Sequence, residues 1–188
     1  MNHSLSHVVG FDDGPFTRDQ QDDVLIVGAV FSGMRLEGVL SDRVCRDGTN
    51  ATRVLADMVL RSRFNAHLQV VMLQGITVAG FNVIDLASLY QTLQVPVLTV
   101  VRRIPDLAAI RRALLTRVLD GRQKWALIQR SGPVEAVAGV FVQRVGISLS
   151  EADELIKRLA VNSVLPEPLR TAHLIAGGIG MGESRHRA

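Results

Sequence analysis

The stretch VVGFDDGP, residues 8–15, decides how the rest of the chain is interpreted. Its first half is apolar and its second half is acidic or turn-forming, which is typical of a short buried strand that runs into a turn. Two carboxylates, Asp12 and Asp13, are therefore expected at the carboxyl end of the first strand. The alternative is that both aspartates only help the chain to turn, since Asp, Gly and Pro are common turn residues.

The segments after this strand predict a mixed sheet with helices. Strands are predicted at residues 24–31, 35–45, 68–73, 95–101, 125–129 and 137–145, and helices at 51–63, 82–93, 106–119, 150–159 and 169–175. The first three strands should be antiparallel, whereas the strands at 68–73 and 95–101 are joined by a helix and should be parallel. We expect one α/β domain over residues 1–188, with a flexible glycine-rich tail from about residue 177.

Composition limits the function classes. A chain of 188 residues is long enough for one well-buried core, and its single cysteine excludes an internal disulfide framework. The sequence has neither a basic segment followed by an apolar one at its start nor an apolar run of the ~20 residues that span a bilayer. These features predict a cytoplasmic protein that does not interact with membranes. They do not indicate an oligomeric state.

The basic residues are almost all arginine. Of 21 Lys and Arg residues, only Lys124 and Lys157 are lysine, and the formal net charge is +3. The planar guanidinium group donates paired hydrogen bonds to phosphate, so this bias permits nucleic-acid binding without requiring it.

Asp12 and Asp47 are the first candidates for metal ligands. Metal-assisted hydrolysis of a phosphodiester needs oxygen ligands that converge on the cations beside the scissile phosphate. Asp47 follows the third strand and precedes the first helix, where a loop could bring it beside Asp12. The alternative for Asp47 is an ordinary Asp-Gly turn at the start of the helix.

The glycine-containing loop GITVAGFN, residues 75–82, follows a buried strand and precedes a helix. Open α/β sheets bind ligands at this position. The loop matches neither a Walker loop nor the dinucleotide fingerprint, so no nucleotide cofactor is expected. The alternative is a purely conformational loop in which Asn82 caps the next helix.

The remaining chemically active side chains give weaker signals. His173 is on the predicted terminal helix, without a partner at metal-ligand spacing, and on this pattern a packing or surface role is favoured. Cys45 ends an alternating strand and is expected to be a small buried hydrophobe. No serine or cysteine has the sequence context of a nucleophile.

Five motifs, in order along essentially the whole chain, resemble the endonuclease dU family, which consists largely of archaeal relatives of endonuclease V. They are VGFDDGPF at 9–16, DGTNAT at 47–52, GITVAGFNVID at 75–85, LPEPLRTAH at 165–173 and GES at 182–184. Residues 10–12, 46–48 and 165–172 are also similar to motifs of endonuclease V itself.

The resemblance implies an RNase H-like mixed sheet, Mg²⁺ or Mn²⁺ as cofactor, and cleavage of nucleic acid near deaminated bases. It implies metal ligation by Asp12 and Asp47, and a catalytic group comprising Asp12, Asp47 and Gln74. The residues it implies for substrate binding are Asp13, Gly75, Thr77, Gly80, Asn82, Arg170 and His173.

The chain departs from the endonuclease V pattern at three places. Gln74 replaces a third acid, Ile147 replaces a histidine, and the strand-separating wedge motif is not visible before Asp47. A neutral amide lowers the expected affinity for a cation, so another carboxylate would have to compensate. The candidates are Asp13, Asp85 and Glu183.

The sequence leaves three hypotheses. The first is a metal-dependent endonuclease that acts on deaminated DNA in DNA repair, with deoxyuridine as a candidate substrate. The arginines of the third predicted helix and the segment before it would either hold phosphates or form a solvated helix face; they are Arg102, Arg103, Arg111 and Arg112. The second is a non-catalytic nucleic-acid-binding or regulatory protein that lost a metal ligand at Gln74. The third is a small-molecule hydrolase or transferase that uses the same carboxylates.

Overall fold

The computed structural model describes residues 5–17 and 22–184. Its strands are β1 (His7–Asp13), β2 (Val24–Ser32), β3 (Arg35–Val44), β4 (Val70–Leu73), β5 (Thr77–Val78), β6 (Asn82–Val83), β7 (Val97–Val101), β8 (Glu135–Val137) and β9 (Val140–Val145). Its helices are α1 (Ala51–Leu60), α2 (Leu86–Leu93), α3 (Leu107–Arg117), α4 (Gly121–Arg130), α5 (Leu149–Leu159) and α6 (Glu167–Met181).

Seven strands form one mixed sheet in the order β3-β2-β1-β4-β7-β9-β8. The β1-β2-β3 meander is antiparallel, and β4 is parallel to both β1 and β7. The predicted antiparallel start and the predicted parallel crossover are thus both confirmed. Because Phe11 pairs with Leu73, the carboxyl ends of β1 and β4 are neighbours at one edge of the sheet.

Helices cover both faces of the sheet, which explains why its central strands are apolar on both sides. Phe11 packs into a core cluster that includes Leu55 of α1 and Leu89 of α2. Val8 belongs to a cluster on the other side, where α5 contributes Ile156. The alternation of side chains along β1 therefore connects two hydrophobic layers within one domain.

The terminal helix α6 packs on β1 and β2. A β-carbon at Gly10 would overlap the backbone of Pro168, so this close approach of helix and strand requires glycine. The helix continues to Met181, and the expected flexible tail from about residue 177 is wrong over these residues. Gly180 packs on Pro15, and such tertiary contacts outweigh the low helix propensity of glycine.

Another local expectation is wrong. Residues 125–129, predicted as a strand, belong to α4, where Lys124 and Ile128 are buried one turn apart. The capping box of α5 is formed by Ser148 and Glu151. Among the residues described, we find no helix with the length and apolar character needed to cross a bilayer.

Candidate active site at the ends of β1 and β4

The candidate site lies where β1 and β4 end side by side. Asp12 and Asp13 end β1, and Gln74 follows β4. The backbone N–H of Gln74 donates a hydrogen bond to the carbonyl of Phe11 at 3.3 Å. The parallel pairing therefore places a neutral amide side chain next to two carboxylates.

Asp12 is paired with a histidine from the far end of the chain. Its side chain is buried, and Oδ2 is 2.7 Å from Nδ1 of His173 on α6. His173 keeps about a quarter of its side-chain surface exposed, at 26%. The pair is a buried carboxylate that orients a partly exposed imidazole ring.

Asp13 is held by the glycine-containing loop. Its Oδ2 accepts a hydrogen bond from the backbone N–H of Ala79 at 2.5 Å. Burial, together with the negative charge of Asp12, raises the pKa of Asp13 to about 6 from an ordinary value of 3.8. Two neighbouring carboxyl groups with little access to water are stabilised by a cation or a shared proton.

Gln74 has an unusual side chain. Its Oε1 is buried and has no hydrogen-bond partner among the described residues. An unpaired buried acceptor costs about 1–3 kcal/mol, so such an atom in a site indicates a partner that comes from outside the chain.

Two cavities meet at Gln74. The first, which we call the carboxylate cavity, has a volume of about 410 Å³ and is lined by Asp12, Asp13, Gly14, Pro15, Phe16, Gln74, His173, Gly177, Met181 and Ser184. The second, which we call the ring cavity, has about 250 Å³ and contains more apolar side chains, including Ile76, Phe81, Ile110 and Phe141.

Asp47 lies outside the lining of both cavities. Its Oδ1 accepts a hydrogen bond from the backbone N–H of Phe81 at 2.8 Å, and its Oδ2 is 3.3 Å from Nε of Arg46. The buried Lys124 ammonium group donates to its carbonyl, and burial lowers the pKa of that lysine. This aspartate is thus engaged in holding backbone, and a metal-ligand role for Asp47 stays a prediction.

The predicted ligand loop is a small hairpin. Strands β5 and β6 pair across a turn in which Ala79 and Gly80 both have positive φ, of 47° and 84°. A β-carbon at Gly80 would overlap the Asp47 carboxylate. Gly75 and Thr77 line the ring cavity, whereas Gly80 shapes the turn.

Asn82 is fully buried and caps a helix, although not the one expected. Its Oδ1 accepts from the backbone N–H of Ala51, the first residue of α1, at 3.1 Å. Its Nδ2 donates to the carbonyl of Cys45 at 2.9 Å. The helix predicted from residue 82 begins at Leu86, capped by Asp85.

The Cys45 side chain is exposed, so the expectation of a buried thiol is wrong.

Arg170 is not part of the lining of either cavity. Its Nε is 3.0 Å from both carboxylate oxygens of Glu167, and Oε1 of Glu167 also accepts from Asn162 Nδ2 at 3.0 Å. The LPEP segment is therefore fastened to the start of α6. This network fixes the helix that carries His173.

The compensating carboxylates are placed differently. Asp85 caps α2 and pairs with Arg130 at 3.2 Å, away from the carboxylate cavity. Ser184, next to Glu183, lines that cavity and donates to the carbonyl of Leu174 at 2.5 Å. Within residues 5–17 and 22–184, no group of three or more His, Cys, Asp or Glu side chains is arranged to hold a metal ion.

The contact of His173 with Asp12 is the feature that sequence reasoning missed. The two residues are 161 positions apart, and the local pattern around His173 indicates only an ordinary helix. The LPEPLRTAH motif was the available signal, because it places the histidine in a segment characteristic of a family.

Comparison with known proteins assigns the family. The model of the family described as endonuclease dU matches residues 4–180. The chain belongs to the endonuclease dU family. A relative in that group, a UPF0215 protein of Deinococcus radiodurans, is 51% identical over 180 residues, covering 96% of this chain and 92% of the relative.

Solved structures agree on the fold of this endonuclease dU family member. A protein of unknown function from Archaeoglobus fulgidus superposes with a TM-score of 0.88 at 31% identity, covering 94% of this chain and 99% of that one. Endonuclease V of Ciona intestinalis, in complex with a 24mer DNA containing an inosine followed by a ribo-adenosine, gives a TM-score of 0.58 at 14% identity, with coverages of 91% and 84%. The predicted α/β fold, a mixed sheet flanked by helices and similar to that of endonuclease V, is confirmed.

Proposed function

We propose that this protein is a metal-dependent endonuclease that cuts DNA beside deaminated bases, with deoxyuridine as the first candidate, in DNA repair. The observation that carries the proposal is the carboxylate cavity, in which Asp12, Asp13 and His173 converge at the carboxyl ends of β1 and β4. The family and the endonuclease V-like fold make hydrolysis of a phosphodiester the reaction to test first.

A divalent cation fits the side chains of this cavity. Mg²⁺ prefers oxygen ligands, and proteins commonly hold it through one or two carboxylates together with water and substrate phosphate. Asp12 and Asp13 supply these two carboxylates. Burial, and then the negative charge of Asp12, raise the pKa of Asp13, and a cation beside the two carboxylates would offset both effects. Bound Mg²⁺ or Mn²⁺ would supply charge neutralisation at the phosphate and a more acidic water molecule.

The chain's own residues would then orient the substrate and move protons. In the tautomer that carries its proton on Nδ1, directed to Asp12, the Nε2 atom of His173 would accept the proton of an attacking water molecule. Asp12 would keep the ring in this tautomer and stabilise the imidazolium that follows. The network of Glu167 and Arg170 would hold α6, and hence the imidazole, in place.

The surface is compatible with DNA as the partner. Arg102, Arg103, Arg111 and Arg112 are exposed on and before α3. Arginines of this kind hold phosphates without reading sequence, so their contribution to binding should decrease with salt.

The test is cleavage of oligonucleotides that contain one deoxyuridine or one deoxyinosine, with Mn²⁺, Mg²⁺ or EDTA. We expect metal-dependent cuts near the altered base, and their loss in Asp12→Asn. Asp153→Asn, which changes a partly exposed carboxylate paired with Lys157 on α5, is the matched control and should cut normally. Cleavage that survives Asp12→Asn unchanged would contradict the proposed site.

A second candidate is a nucleic-acid-binding protein without catalytic activity. It is favoured by Gln74 and by the lack of a three-residue metal cluster in the part of the chain that the structure describes. Salt-sensitive binding of the same oligonucleotides, with no cleavage under any metal condition, would support this alternative.

A further inference from the structure

The ring cavity shares Gln74 with the carboxylate cavity, is not lined by Asp12 or Asp13, and has a different chemistry. Its volume of about 250 Å³ is below the ~300–1,000 Å³ of pockets for drug-sized ligands, so it suits a small ring system. Its apolar part is formed by side chains from the β5–β6 hairpin, α3 and β9. They include Ile76, Phe81, Ile110 and Phe141.

The ring cavity has four polar side chains in its lining, Gln74, Thr77, Thr99 and Gln143, and the last two have hydrogen-bond partners. Thr99 Oγ1 accepts from the backbone N–H of Gln143 at 3.0 Å, and Gln143 Nε2 donates to the carbonyl of Gly132 at 2.9 Å. Gln74 Oε1 is buried and has none among the described residues. Gln74 is itself one of the residues that line this apolar cavity, so a flat ligand whose N–H donor reaches Oε1 would supply the missing partner.

The side-chain amide of Gln74 is complementary to a particular base edge. A lactam presents a ring N–H next to a carbonyl, so the N–H can donate to Oε1 while the carbonyl accepts from Nε2. Uracil and hypoxanthine carry this edge, as do thymine and guanine, so the edge distinguishes each deaminated base from its parent, cytosine or adenine, and not from every normal base. Cytosine and adenine present an unprotonated ring nitrogen at the same position, and this nitrogen would face Oε1 as a second acceptor.

We propose that Gln74 is a specificity-determining residue, and that its amide reads the lactam edge of a deaminated base held in the ring cavity. This inference rests on the proposed function, because it takes the ligand to be a base of the cleaved nucleic acid. The base would leave the stack to enter the cavity, while its phosphodiester remains on the carboxylate side of the same residue. The neutral amide at position 74 thus has a function that a carboxylate could not perform, since a carboxylate cannot donate to the base carbonyl.

The experiment measures binding separately from cleavage. Single-stranded oligonucleotides that differ only at one position, deoxyuridine, N3-methyldeoxyuridine or deoxycytidine, are titrated in EDTA against the wild type, Gln74→Leu and Asp12→Asn. Gln91→Leu, an exposed glutamine on α2, is the matched control. Thermal melting checks that each variant is folded.

We expect the wild type and Gln91→Leu to prefer deoxyuridine over both other bases by about tenfold, the value of one well-formed hydrogen-bond pair. Gln74→Leu should bind all three oligonucleotides within about twofold of one another, because the donor on the base then has no acceptor. Asp12→Asn should retain the wild-type preference.

The outcomes separate the two proposals. Equal binding of the three oligonucleotides by the wild type, or a deoxyuridine preference that survives Gln74→Leu, overturns the role of Gln74 even if the protein cleaves DNA. A preference that depends on Gln74 supports it, even if no metal produces cleavage and the proposed nuclease activity is abandoned.

Discussion

Asp12 and Asp47 lie near the same hairpin and are used in different ways. Asp12 is at the carboxylate cavity with one oxygen paired to an imidazole, whereas both oxygens of Asp47 are engaged with the Phe81 amide and the Arg46 side chain. A carboxylate that satisfies backbone donors stabilises a loop, and one that faces a cavity beside a histidine is available for chemistry. The comparison shows that the partners of a side chain, rather than its position at the end of a strand, determine its role.

The largest expected difference is in the cleavage rates of two variants, Asp12→Asn and Asp47→Asn. Asp12→Asn should lower the cleavage rate by about 10²–10⁴-fold, because the imidazole loses its carboxylate and the cavity loses a charge. Asp47→Asn keeps an oxygen for the Phe81 amide and should cut within about threefold of the wild type. The measurement is single-turnover cleavage of a deoxyuridine oligonucleotide, and equal losses in the two variants would make Asp47 a metal ligand after all.

The pH dependence of protein stability tests the carboxylate cavity at a second residue, Asp13. Its pKa is raised to about 6 in the folded protein, so its charged form destabilises the fold above that pH, and the effect disappears as the pH falls towards 3.8. In EDTA at pH 7.5, the free energy of unfolding of Asp13→Asn should therefore exceed that of the wild type by up to about 3 kcal/mol. Near pH 4 the two proteins should be equally stable. Urea titrations at both pH values test this, and a gap that widens on acidification would contradict the sign.

The structural role of Asp47 predicts an effect of intermediate size. Asp47→Ala leaves the Phe81 amide without its acceptor and should reduce the free energy of unfolding by about 1–3 kcal/mol, whereas Asp47→Asn should cost less. Urea unfolding of both variants measures the difference. If Asp47→Ala and Asp47→Asn were equally stable, the hydrogen bond from the Phe81 amide to residue 47 would not be what stabilises the hairpin.

A substitution at Gln74 gives the smallest expected change in the free energy of unfolding, and this change is a gain where Asp47→Ala gives a loss. Gln74→Met removes an unsatisfied acceptor while keeping a side chain of similar size, so the free protein should become more stable by about 1 kcal/mol. The midpoint of urea unfolding without DNA measures this. A loss of stability would mean that the amide already has a stabilising partner.

The central architecture was predictable because it depends on local patterns. Apolar runs bounded by turns identified β1 and β4, and the crossover rule then made β4 parallel to β7. The same reasoning failed for α4, whose WALIQ segment has no clear period over five residues. It also failed for the glycine-containing turns of α6, where contact with Pro15 decides the structure.

The site was predictable only in part. Asp12, Asp13 and Gln74 follow from the ends of adjacent strands, so their convergence is a consequence of the sheet. The partners of Asp47 are backbone groups whose positions depend on a hairpin turn, and residue spacing does not reveal them. The pairing of Asp12 with His173 depends on how α6 packs over β1, which is a tertiary event without a local signal.

The packing of α6 against β1 has a consequence for synthesis. Contacts between residues 161 positions apart can form only after residue 173 has been synthesised, and non-local contacts of this kind form late in folding. A nascent chain stalled before α6 would contain Asp12 without His173 beside it. If the proposed nuclease activity requires this pair, chains that lack α6 are inactive.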